Sequence, residues 1–111
     1  MSDHTERFAA IEGAFLDALS NYHADMARTR TPAQALDVDT NFQSLERIYN
    51  AALTKTLTAQ TPLAEETLAQ LRTANLAVEA LRQQTAAIAR VIKAIGDVVG
   101  MAARLLAVAA G

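Results

Sequence analysis

The sequence predicts an all-α fold: an antiparallel helical hairpin plus a long third helix, forming a three-helix bundle that self-associates. Three observations carry this prediction. Alanine fills 25 of the 111 positions while Gly and Pro together fill six, and Ala costs least inside a helix. Only five residues are aromatic, so the side chains that favour strands are scarce. The larger apolar residues recur at steps of three and four, which puts them on one face of a helix. A chain of this length holds one domain, residues 1–111.

The first helix is expected over about 3–30. Phe8, Ile11, Phe15, Leu19, Tyr22 and Met26 form one narrow apolar seam along it. Two Thr-Pro pairs then mark helix starts, Thr31-Pro32 and Thr61-Pro62. In each, the Thr hydroxyl can accept from a first-turn N–H, and Pro at the first helical position wastes no donor. Gln34 can complete a capping box with Thr31, while Glu65 and Glu66 face the positive end of the helix that follows Thr61.

The second helix is expected over about 32–60, with Val38, Phe42, Leu45, Tyr49 and Ala52 as its seam, flanked by Ile48 and Leu53. Asp37 and Asp39 are competing caps, so a start as late as Thr40 stays open. Thr54, Thr56 and Thr58 lower helix propensity near its end.

The third helix is expected over about 62–110. From Leu71, alternating steps of three and four select Leu71, Ala74, Val78, Leu81, Thr85, Ile88, Ile92, Ile95, Val99, Ala102 and Leu106, all apolar but Thr85. A seven-residue repeat held this long argues for one continuous, slightly supercoiled helix, as in a coiled coil. The alternative is a four-helix bundle with a break near Gly96, where Asp97 would cap a short fourth helix. A continuous third helix would reach about 73 Å against about 42 Å for each partner. Its overhanging apolar face would need a cover, and a second copy of the chain supplies one. The expected oligomer interface is Ile88, Ile92, Ile95, Val98, Val99, Ala102, Leu105 and Leu106.

Chemistry is sparse by comparison. There is no Cys, hence no thiolate ligand and no Cys nucleophile. His4 and His23 are the only imidazoles; His23 reads as a helix-surface residue, His4 as a mobile terminal one, and no Glu-x-x-His pair signals a di-iron site. No carboxylate falls on an apolar seam, and Gly-rich phosphate loops are absent from the sequence. No catalytic, metal or cofactor residue is assigned, and no enzymatic activity is expected.

The formal charge of −2 argues against a generic nucleic-acid partner. Charge is unevenly divided: up to Glu66 there are ten acids and five bases, net −5; beyond it five bases and two acids, net +3. The expected function is a non-enzymatic protein–protein interaction module that homo-oligomerises, as dimer or tetramer, through its Ala-rich C-terminal helix, or docks another helical protein. The alternative is a membrane-active or secreted protein whose basic amphipathic C-terminal helix engages a bilayer surface or a translocator. The polar, acidic start lacks the pattern of a signal peptide, so a cytoplasmic location is expected, with non-Sec export left open.

Circular dichroism should show an overwhelmingly helical chain without strand content. Replacing Thr31 or Thr61 by Ala should cost about 0.5–2 kcal/mol in thermal or urea unfolding.

Overall fold

The computed structural model describes residues 1–110 and contains four helices, not three. They are α1 (His4–Arg28), α2 (Pro32–Ala52), α3 (Pro62–Gln83) and α4 (Ile88–Ala109). No strand occurs among the described residues. The four-helix alternative is thus the one observed, but the break lies at Gln84–Ala87, with Gly96 inside α4.

The first three helices start as their sequences dictate. Asp3 accepts from the Glu6 N–H at 2.9 Å. Thr31 accepts from Gln34 N–H and Thr61 from Ala64 N–H, each at 3.1 Å. The Gln34 side chain reaches back to the Arg30 N–H at 2.8 Å, one residue before the position a strict capping box requires. α2 ends at Ala52 rather than near Gln60. The threonines that weaken helix propensity lie in the connection Leu53–Thr61.

Why the third helix breaks is visible in the turn. Thr85 adopts φ 53°, the only positive φ outside glycine among the described residues. Its N–H bonds to the Arg82 carbonyl at 3.1 Å, and the Ala86 N–H to the Leu81 carbonyl at 3.0 Å. This is a Schellman ending in which Thr occupies the place usually taken by Gly. The polar run Gln83-Gln84-Thr85 thus lets α4 fold back along α3. The two apolar faces cover each other, and the 30 Å overhang expected of one long helix is gone.

Around the bundle the helices follow the order α1, α2, α4, α3. Every neighbouring pair packs, α1 also meets α4 across the short diagonal, and α2 and α3 do not touch. α1 and α3 run parallel, since Ser2 lies by Glu65 and Asp25 by Arg82. The molecule measures 43 × 25 × 18 Å.

α4 is the most apolar helix and supplies Ile88, Val91, Ile95, Val98, Ala102, Leu105 and Ala109 to the core. Of the eight residues expected at an oligomer interface, Ile88, Ile95, Val98, Ala102 and Leu105 are buried within this chain. Ile92, Val99 and Leu106 are half-buried and pack against the same core. The α4 seam is therefore centred one position away from the expected register, on Val91, Val98 and Leu105. Its cover comes from the chain's own helices.

A similar rotation holds for α1. Its buried line is Arg7, Ile11, Ala14, Ala18 and Asp25, whereas Phe8, Phe15 and Tyr22 turn sideways to stack with the aromatic side chains of α2. Small alanines line the inner face of α1, and the aromatic rings fill the α1/α2 interface.

A β-branched residue at positive φ is costly, and glycine is not. Thr85→Gly should raise the stability of the monomeric bundle by about 1 kcal/mol, read as an increase in the urea or thermal midpoint.

Candidate functional site: buried polar clusters and the outer face of α4

The connection Leu53–Thr61 must cross the end of the bundle diagonally, because the helices it joins do not touch. Its backbone passes over α1 and α4, where water is scarce and polar groups need partners. Arg7 supplies them from the first turns of α1. Fully buried, it donates through Nη1 to the carbonyls of Leu57 at 2.9 Å and Ala59 at 2.7 Å. It donates through Nε to Ser2 Oγ at 2.9 Å and through Nη2 to Glu65 at 3.0 Å.

His4 Nδ1 accepts from the Leu57 N–H at 2.9 Å, so the expectation of a mobile terminal imidazole is overturned. With the loop backbone held on both sides, the Leu57 side chain is driven fully into the core. The Ala59 N–H bonds to the Ala109 carbonyl at 3.0 Å and ties the same loop to the end of α4.

A second cluster joins α1 to the end of α3. Arg82 donates to Asp25 at 2.6 Å and also to Asp17. Asp25 is buried, so the expectation that no carboxylate lies on an inner face is corrected. Burial works against the Arg82 charge, but hydrogen bonds to Asp25 and then Asp17 outweigh it, and the net effect is a raised pKa. Between the two clusters, α1 and α3 leave a groove of about 490 Å³, lined by Gly13, Asp17, Arg72, Asn75, Leu76 and Glu79.

The α1/α2 interface carries the third polar feature. Phe8, Tyr49, Phe15, Phe42 and Tyr22 stack in series with centroid separations between 4.8 and 6.0 Å. The Tyr22 hydroxyl donates to Asp39 at 2.8 Å, which raises its pKa, with burial and the neighbouring negative charge adding to the effect. His23 is exposed and meets Tyr22 edge-on at 5.5 Å.

These arrangements are structural in their chemistry: guanidinium against carboxylate and carbonyl, hydroxyl against carboxylate, imidazole against backbone N–H. Among the described residues no group of three His, Cys, Asp or Glu side chains is placed to hold a metal ion. Sequence reasoning missed Arg7 because a polar N-terminal stretch looks the same whether its side chains point out or in. The one available signal was spacing: Arg7, Ile11, Ala14 and Ala18 share a face.

What remains on the surface is the outer side of α4. Ala89, Gly96, Gly100, Ala103 and Ala107 are all exposed there, and a Cβ added at Gly96 or Gly100 would meet nothing within 4 Å. Arg90, Lys93, Asp97 and Arg104 are exposed beside this smooth row. Leu36 and Leu76, 64% and 65% exposed, are further apolar side chains turned to solvent. Comparison with known proteins finds no matching family, no matching curated protein and no matching solved structure.

Arg7→Met should cost about 3–5 kcal/mol, because the Leu57 and Ala59 carbonyls lose their shared donor and Glu65 loses its ion pair. The acid limb of stability carries the same cluster's signature. The Glu65 carboxyl is held below its ordinary value chiefly by hydrogen bonds from the Ser2 hydroxyl and N–H, with Arg7 adding to them and desolvation opposing. A lowered folded pKa means that this contribution is complete above the ordinary Glu value of about 4.3 and is lost as pH falls through the lowered one. Urea titrations at successive pH values should show Glu65→Gln removing part of that acid dependence.

Proposed function

We propose that the chain is a non-enzymatic helical interaction module that self-associates through α4. The observation that supports this is the outer face of α4, a row of Ala and Gly with open space above both glycines. Small residues in such a row let the backbone of a second helix come close. The seam formed by Ile88, Ile95, Val98 and Leu105 is spent inside the bundle, so association between folded bundles uses the opposite side of the same helix.

Gly100→Glu tests this. The monomer has room for the new side chain. The introduced carboxylate would stand four residues before Arg104, a favourable pairing on a helix surface. Sedimentation equilibrium should show the parent chain associating with rising concentration, and the variant remaining monomeric with unimpaired thermal stability. A parent chain that stays monomeric throughout overturns the reading.

A second reading rests on Arg90, Lys93 and Arg104, all exposed along α4. Among the described residues no helix is long and apolar enough to cross a membrane, so contact with lipid would take place at the surface. Co-sedimentation with anionic vesicles, lost in neutral ones, is the corresponding measurement.

A further inference from the structure

The α3–α4 turn differs from the other two connections. Those lead into Thr-Pro starts with side-chain caps. This one, Gln84–Ala87, contains no Gly, Pro, Asn or Asp. Its central residue is a β-branched Thr held at φ 53°, a conformation such side chains rarely adopt. The helix that follows begins at Ile88, and Ala87 before it offers no side-chain cap, so its first N–H groups lack the partner that the other helices provide. Gln84, Ala86 and Ala87 are all good helix formers, and Thr85 is the exception.

The turn is flanked by apolar residues of both helices. Leu81 precedes it and Ile88 follows it, seven residues after Leu81, and the buried line of α4 then continues through Val91, Val98 and Leu105. Straightening the backbone would return Thr85 to right-handed helical φ, and would give the first N–H groups of α4 the carbonyls of Gln83, Gln84 and Thr85 as regular partners.

Taken together, these features favour exchange. We propose that Gln84–Ala87 is a hinge through which two copies of this chain swap α4, each joining its α3 and α4 into one straight helix. In the exchanged dimer α4 packs against α1, α2 and α3 of the other copy through the same core residues, so almost every contact of the monomer is kept and only the turn changes. The latch that opposes opening is Arg28, whose guanidinium donates to the Ala86 carbonyl from the end of α1. In a straight helix that carbonyl belongs to the Arg90 N–H. The occupant is another copy of this chain because the surface uncovered when α4 leaves is complementary to α4 and to nothing else in the fold.

This association is distinct from docking through the outer face of α4, and the two fail separately. The full chain is unfolded in urea, refolded at high protein concentration, diluted, and passed over a sizing column with light scattering. A dimer that persists on dilution is expected, because returning to monomer requires α4 to leave the core. Its share should be unchanged in Gly100→Glu. It should fall roughly tenfold in Thr85→Gly, which relieves the turn and weakens the straight helix, and rise in Arg28→Ala.

The chain has no Cys of its own, so the double variant Ala69→Cys/Ala103→Cys can carry two spin labels at exposed sites. Diluted into excess unlabelled chain before refolding, it reports distances within one copy. The monomer should give a short distance across the α3/α4 pair, and the dimer about 51 Å for thirty-four residues of continuous helix. A refolded chain that yields only monomer, or a dimer in which the labels stay close, overturns the proposal.

Discussion

The Arg7 guanidinium is the interaction on which this bundle depends. Because α2 and α3 sit on opposite corners, the chain must cross the bundle end between them, and where Leu57 dips into the core its backbone carbonyl needs a protein donor. A planar, permanently charged fork with five donors meets that demand better than any other side chain. It takes two carbonyls of the crossing and anchors them to Ser2 and Glu65. Leu57 then enters the core as a consequence of the backbone that Arg7 and His4 fix.

α4 plays the complementary role in hydrocarbon. Like α1 it packs against all three other helices, and it supplies more core residues than any of them. Its neighbours meet it with small and large side chains together, Ala14 and Ala18 on α1 and Ala64, Leu68 and Leu71 on α3 among the core residues. The section is rhombic, with α1 and α4 meeting across the short diagonal and α2 and α3 apart across the long one.

Helix type and the starts of α2 and α3 were legible in the sequence because they rest on local chemistry. Thr31 and Thr61 cap by reaching three residues ahead, and periodicity needs only one helix to be seen. The break at Thr85 was not legible. Heptad phase is indifferent to whether a helix continues or folds back, and the residue at positive φ is Thr, a type that sequence reasoning does not place there. The polar clusters were missed for a different reason. Arg7 with Glu65 and Arg82 with Asp25 are fifty-seven or fifty-eight residues apart, and pairing over that span becomes visible only once α1 and α3 are known to lie parallel. Assigning the apolar face of α4 to a second copy followed directly from treating α3 and α4 as one rod.

The crossing also bears on the order in which the bundle assembles. Each antiparallel pair, α1 with α2 and α3 with α4, is joined by a short connection and closes through local contacts, whereas the Arg7–Leu57 bond spans fifty residues. Local contacts close first, since loop closure over long separations must be paid in chain entropy before it is rewarded. The two hairpins therefore form early, and the guanidinium seals the end of the bundle after they have docked. A bond made that late adds little to the rate of formation and much to the time the bundle stays shut. Arg7 then acts as the clasp that sets the lifetime of the folded chain.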